Sequence, residues 1–390
     1  SISDYYNKAS FGQLSITPAE ETQGVTNDGV IEVTLGGNHP NNTDLSQTIA
    51  TAALTAANPY INFASYNKDG DEAVTSSELH IIFIIAGYEE SFCGSSCPGP
   101  KIWGHRWWLN SPMTLDGVKV GTDSSDGDYG GYAMFGEIHG TGGATNHIAQ
   151  IGIMVHELGH DLSWPDLYDT DGSSQGVGRW SIMGSGSWNG ITYDGDTPAL
   201  PDAYLKWYQG WIQPIHPGNG ATYLLNQASD SKDVLAMGVV KAAATWEFMS
   251  HSGSGEFFLV ENRQLSGYDA GLPSCGILIW HIDETRTYTN SANANESRPL
   301  VELEQADGLH DLYYGYDRGD AGDPYPGSTH KYNFGYATNP NSRYYSGSDS
   351  TRSLVINSTA CSGWMNVTYS GPEIAPPQPV RIYLPGILAQ

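Results

Sequence analysis

Between residues 146 and 162, apolar side chains recur at Ile148, Ile151, Val155, Leu158 and Leu162. Intervals of three and four residues gather these side chains on one face only if the segment is an α-helix, with Thr145 or Asn146 as its N-cap. The same stretch reads His156-Glu157-Leu-Gly-His160. Residues four apart share a helix face, so both imidazoles can reach one metal ion, while Glu157 is offset to take a proton from a water activated there. Pro165 then stops the helix and turns the chain. A helix that must bury one face and hold two imidazoles around an ion leaves few folds open.

Neutral imidazole nitrogen suits zinc, which needs a third protein ligand and one open position for catalysis. No Glu occurs between Glu157 and Glu247, no Cys between Cys97 and Cys275, and no His between His160 and His216. Carboxylates do follow: Asp161, Asp166 and Asp169. Asp161 would have to bend back from the same helix. Asp166, six residues beyond His160 and just past Pro165, has the spacing of the metzincin pattern, with Asp169 as the fallback. Met183, in Ser181-Ile-Met-Gly-Ser-Gly, is the candidate for the Met-containing turn beneath a metzincin metal. Ser185 stands where some metzincins carry a Tyr, which leaves Tyr193 as the candidate oxyanion donor.

Two histidines on a surface helix would also satisfy a five-residue pattern, and the chain has 12 of them. The helical context, the turn and the correctly spaced carboxylate favour the metal. The expected chemistry is peptide hydrolysis, with Glu157 as general base and then general acid toward the leaving amine. Two other readings stay open: an inactive secreted binding or adhesion protein that keeps the fold, and a zinc hydrolase acting on a non-peptide bond.

The rest of the chain reads as α+β. A helix-like stretch covers 45–57, Leu79 to Ala86 is rich in β-branched residues and reads as a buried strand, and Pro201 to Trp211 suggests one further helix. Beyond about 213 the texture changes to short β-type runs at Tyr223, Phe257–Val260, Ile277–Trp280 and Leu300–Leu303. The expected organisation is a metzincin-like domain over 1–212, a β-rich domain or subdomain packed on it over 213–371, and a Pro-rich tail over 372–390. Eight of the 11 Trp lie between Trp103 and Trp211, as an aromatic core or as the lining of a cleft for extended peptides. His105, among them, reads as packed, and His281 with Asp283 as structural.

Seventeen Lys plus Arg against 43 Asp plus Glu give a net charge of −26. Nucleic acid and anionic membranes require a basic surface and are excluded as partners. No apolar run is long enough to span a bilayer. No leader-like segment follows Ser1, so an exported chain is expected in processed form. The carboxylate excess suits calcium, a hard cation that prefers oxygen ligands. Asn67, Asp69 and Asp71 imitate the start of an EF-hand loop, with Glu78 late for a standard twelfth position; an ordinary Asx-rich turn is the competing reading. Asp320 and Asp323 form a second acidic cluster. Four cysteines allow three pairings, of which Cys93–Cys97 and Cys275–Cys361 is the simplest. Disulfides imply an oxidising, extracellular location. The chain is expected to act as a monomer on protein or peptide substrates.

The zinc helix with Pro165-Asp-Leu-Tyr-Asp, Ser3-Asp-Tyr-Tyr, Ala86-Gly-Tyr-Glu-Glu, Ile102-Trp-Gly-His105-Arg-Trp, Phe258-Leu-Val-Glu261-Asn-Arg263, Leu278-Ile-Trp-His281-Ile-Asp283, Glu304-Gln-Ala-Asp307-Gly and Gly319-Asp-Ala-Gly-Asp323-Pro-Tyr-Pro together resemble the immune-inhibitor-A-like family of secreted bacterial metallopeptidases. The resemblance covers about 1–370 and implies an exported zinc endopeptidase with bound calcium, often made with a propeptide. One departure is Ser163, where members of that family usually carry Gly, so the turn toward Asp166 must form without glycine's freedom.

Overall fold

The computed structural model describes residues 1–37, 39, 46–123, 130–239, 255–286 and 291–373. Its α-helices are α1 (Ile2–Ala9), α2 (Ser46–Ala57), α3 (Glu90–Cys93), α4 (Ile151–Asp161) and α5 (Ala203–Tyr208). The Ser1 side chain caps α1 by accepting from the Asp4 N–H, and Asp202 does the same for α5 through the Leu205 N–H. Position 45, where the second helix was expected to start, and nearly all of the 372–390 tail lie outside the described residues.

The metal-motif helix begins five residues later than its apolar spacing suggests. His147 and Ile148 are extended instead, pairing with the end of a neighbouring strand, and Ile148 is 76% exposed. Gln150, not Thr145 or Asn146, occupies the N-cap position, without a side-chain bond. A β-branched residue fits that short ladder as well as it fits a helix face, and spacing alone does not separate the two.

The first sheet contains β1 (Ile82–Glu89), β2 (Lys101–Ile102), β3 (His105–Trp107), β6 (Tyr132–His139) and β7 (His147–Ile148). Here β1 runs parallel to β2 and β6, while β3 and β7 join β6 antiparallel. A hairpin of β4 (Met113–Leu115) and β5 (Val118–Val120) lies beside it. The Ile-rich strand, expected to be buried, is buried on one side only: Phe83 and Ile85 meet a core with α2 and the hairpin, while Ile84 is 60% exposed. The other face of β6 (Ala133, Phe135) packs against a layer formed by α1, α4 and α5.

A second sheet, ordered β12 (Val301–Leu303), β11 (Gly276–Asp283), β10 (Glu256–Arg263), β9 (Leu235–Met237), closes the far side of that helical layer. A third sheet, β13 (Asn333–Phe334), β14 (Ser353–Ile356), β15 (Trp364–Ser370) and β8 (Thr222–Asn226), covers the second. The period of two explains the uninterrupted apolar runs: Phe257 and Leu259 face the helices, while Phe258 and Val260 face the third sheet. One core therefore continues across residue 213, from Tyr5 and Val155 to Leu259 and Trp280. The disulfides are Cys93–Cys97 and Cys275–Cys361. Among the described residues no helix is long and apolar enough to cross a membrane.

Candidate metal centre and cleft

On α4 the motif imidazoles are oriented from behind. His156 Nδ1 donates to the Ile182 carbonyl at 2.9 Å, and His160 Nδ1 donates to the Trp164 carbonyl at 2.8 Å. With each Nδ1 committed as a donor, each Nε2 is left to face forward, the arrangement that fixes a metal-binding tautomer. Both Nε2 atoms converge on Asp166 Oδ1, at 3.2 Å and 3.3 Å. The donor atoms of His156, His160 and Asp166 lie within 4.8 Å of one another, and an N, N, O set of this kind fits zinc. Asp166 is the strongest charged neighbour of His160. Burial alone would lower the His160 pKa, but the adjacent carboxylate pushes it up to about 9. Burial likewise opposes the Asp166 charge, and the two imidazoles outweigh it and hold that carboxyl well below its usual range.

The turn that delivers Asp166 ends the helix through a left-handed residue. Ser163 has φ +63°, its N–H bonds to the His160 carbonyl and the Trp164 N–H reaches back to Gly159. That is a Schellman cap with Ser at the place where Gly is usual. Asp161, set aside as a ligand, binds Arg106 Nε and His80 Nδ1, both at 2.9 Å. Met183 is fully buried beneath α4, and its carbonyl accepts the N–H groups of Leu167 and Tyr168. A Cβ on Gly159 would stand 2.7 Å from Met183 Sδ and 2.8 Å from the Trp164 ring, so the glycine between Leu158 and His160 is a packing requirement.

Glu157 lies 4.0 Å from His160 Nε2 and opens on a cleft of about 450 Å³. Trp103, Ile153 and Trp188 give one part of this cleft an apolar lining, and Tyr168, Gln175 and Arg318 also line it. Glu89, fully buried, holds its rim: Oε1 accepts from the N–H groups of Ser91 and Gly104, and Oε2 from Gly136. Burial pushes the Glu89 pKa up. Tyr193 is placed elsewhere, stacked on His147 and outside the cleft lining, whereas Tyr168 hydrogen-bonds Asp166 and stacks near His156. Sequence reasoning missed Glu89, Tyr168 and Arg318. The first two lie inside recognisable motifs, Gly-Tyr-Glu-Glu and Pro-Asp-Leu-Tyr-Asp, but nothing local marks Arg318.

Of the acidic clusters, the 67–78 loop turns inward on its own backbone. Asn67 Oδ1 accepts from Gly70, Asp69 from Asp71, Asp71 from Ala73, and Glu78 from Lys68 and Thr75. Asp320 and Asp323 are joined by Asp307, with carboxylate oxygens within 4.8 Å of one another, and Asp169, Asp171 and Glu296 form a comparable group. His281 and Asp283 do not act as a pair: His281 bridges Glu256 and Glu304, and Asp283 takes Arg298. His105 is packed as expected, its Nδ1 donating to the Trp103 carbonyl.

The geometry of this centre coincides with a family match: the model described as "Immune inhibitor A peptidase M6, catalytic domain" fits residues 1–213. The chain belongs to this family. It is 31% identical over 198 residues to the pre-pro-metalloprotease PrtV of two strains of Vibrio cholerae serotype O1, a match covering 46% of this chain and 20% of PrtV. It is also 31% identical over 128 residues to immune inhibitor A of Bacillus thuringiensis subsp. alesti, covering 32% of this chain and 18% of that protein. The matched region thus spans about a fifth of the length of these curated relatives.

Proposed function

We propose that this member of the immune inhibitor A peptidase family is a secreted, monomeric, zinc-dependent endopeptidase acting on proteins and peptides, with a metzincin-like catalytic unit over 1–212. The observation that carries the reading is the convergence of His156 Nε2, His160 Nε2 and Asp166 Oδ1 beside Glu157 at the floor of an open cleft. These three side chains would hold the ion, which when bound supplies Lewis acidity toward a water and toward the scissile carbonyl.

Glu157 then moves the proton. Glu157 is 6% exposed and lines the cleft, placed to take a proton from the attacking water and return it to the leaving amine. Asp166 stays ionised beside the imidazoles, and Tyr168 braces it. Met183 supports the floor from below through its carbonyl and Sδ. The family model ends at 213, which supports taking 1–212 as the catalytic unit and 213–371 as the part that covers its helices. Structural calcium is best supported at Asp307, Asp320 and Asp323, whose carboxylate oxygens lie within 4.8 Å of one another. The disulfides and the relatives' names support export.

The test is casein hydrolysis alongside metal content, for wild type and Glu157→Gln. One zinc per chain in both, with hydrolysis only in the wild type, is expected. Retained hydrolysis in Glu157→Gln removes the assigned base, and zinc in both without hydrolysis in either moves the function to the inactive binding protein.

A further inference from the structure

The cleft lining is chemically mixed. It combines the apolar side chains of Trp103, Ile153 and Trp188 with the polar ones of Asp169, Gln175 and Arg318. The Asp169 carboxylate is already engaged, accepting from the Asp171 and Ser174 N–H groups and from Ser173 Oγ. Arg318 differs in every respect. It is the only Lys or Arg among the described residues lining the cleft, and its side chain is exposed. Among the described residues its guanidinium makes no hydrogen bond or ion pair, although the chain carries 43 acidic residues and only 17 Lys plus Arg. A cation left unpaired in so acidic a molecule, at the mouth of a cleft, is a group with an open coordination need.

The backbone beneath it is fixed. The Arg318 carbonyl accepts the Arg179 N–H at 2.8 Å, and the Leu312 carbonyl accepts the Gln175 N–H at 2.9 Å. Gly178 packs so closely on the Arg318 carbonyl that a Cβ there would approach to 2.5 Å. The 312–318 segment is therefore tied to the stretch that follows Asp166, and the β-rich part supplies a wall of the cleft. An anchored backbone carrying a free guanidinium gives orientation at a small ordering cost.

We propose that Arg318 is a specificity-determining residue that seats a substrate carboxylate, so that the cleft selects peptides with an aromatic or large apolar residue on one side of the scissile bond and a carboxylate on the other. This rests on the peptidase reading above. The net charge of −26 opposes such a substrate at long range, but that field is screened beyond about 8 Å at physiological ionic strength, whereas the seat acts at contact. The carboxylate comes either from an Asp or Glu side chain or from the peptide's own C-terminus.

The experiment uses the zinc-loaded chain and C-terminally amidated peptides with Phe on one side of a single cleavable bond and Glu, Gln or Lys on the other, in both orientations. A parallel set carries Gln and a free C-terminal acid. Wild type is expected to prefer Glu, or the free acid, over amidated Gln by about five- to tenfold in kcat/KM, mostly through KM, as for one partly exposed charge-assisted pair. Arg318→Gln should erase that preference and Arg318→Glu should turn it toward Lys. Preference for the free acid with none for internal Glu identifies the C-terminus as the source and supports the seat. Cleavage with the Glu:Gln:Lys and acid:amide ratios unchanged in Arg318→Glu overturns the seat alone. Failure of wild type to cleave any peptide or casein overturns the peptidase reading and the seat with it.

Discussion

Replacing Glu261 by Gln should damage the fold more than any surface change, because the carboxylate sits in a buried, charge-balanced network. Glu261 on β10 is fully buried; its Oε1 accepts from Arg263 Nη1 at 3.1 Å and Trp280 Nε1 at 2.9 Å, and its Oε2 lies 3.5 Å from Lys206 Nζ on α5. Arg263 is paired a second time, with Asp269 Oδ1 at 2.5 Å and Oδ2 at 2.8 Å, and also donates to the carbonyls of Trp180 and Leu200. Two cations thus face two carboxylates. Burial pushes the nearby Asp202 upward, toward its neutral form. Gln keeps the size and the acceptor for Trp280 but leaves Lys206 buried opposite an amide. Removing one partner of a buried pair costs about 3–5 kcal/mol. Because one core joins the two parts, the 390-residue chain loses about 1.2 °C of Tm per kcal/mol, so the expected fall is about 4 °C or more. The double variant Lys206→Met, Glu261→Gln restores charge balance and should recover most of the loss, with a coupling of about 2–3 kcal/mol. Urea unfolding followed by tryptophan fluorescence measures both, in a Glu157→Gln background that prevents self-digestion. A single-variant cost below about 1 kcal/mol, or a double-variant cost equal to the sum of the singles, refutes the argument.

Three further outcomes are expected. His281 donates to Glu304 and Glu256 from both ring nitrogens, at 3.0 Å and 2.9 Å; burial opposes its charge, but the carboxylates push its pKa up to about 9. Its raised pKa contributes stability that is complete below the unfolded value of about 6.5 and lost as pH rises through 9, so Tm should fall across that window in wild type and stay flatter in His281→Gln. Ser163→Gly should stabilise by about 0.5–1 kcal/mol in chemical denaturation, because the left-handed φ is relieved while glycine's extra unfolded-state freedom and any lost side-chain contact take back part of the gain; a loss of stability counts against a strained turn. Gly159→Ala should cost about 1–3 kcal/mol by overpacking Met183 and Trp164, and should weaken zinc retention against a chelator by displacing His160; unchanged retention means the helix does not rest on Met183.

Much of the centre was legible because its determinants are local. Spacing of four on a helix, a proline stop and a carboxylate six residues on all lie within Val155 to Asp166, and helix geometry turns such spacings into a shared face. Of the three pairings that four cysteines allow, the structure has the simplest, in which the close neighbours Cys93 and Cys97 join and leave Cys275 for Cys361. The apolar runs of β10 and β11 were readable as strands, since a strand buried on both faces needs no alternation. The helix start was misplaced because Ile148 satisfies helical spacing and β pairing equally, and only the neighbouring edge of β6 decides between them. The acidic clusters were hardest to rank. Asn67, Asp69 and Asp71 are adjacent in sequence yet bond to their own loop, whereas Asp307 meets Asp320 and Asp323 only after the chain has folded back.

The sequence by itself therefore determined which donor groups the centre gathers: two imidazoles, an offset carboxylate and a following Asp, all tied by short-range geometry. Tertiary structure alone decided what surrounds it. Glu89 clamps the rim, the Ile182 carbonyl selects the His156 tautomer, and Arg318 arrives at the cleft from 152 positions beyond Asp166. Those partners are brought together by sheet pairing and a shared core, and no local pattern encodes which distant residue will stand across a cleft.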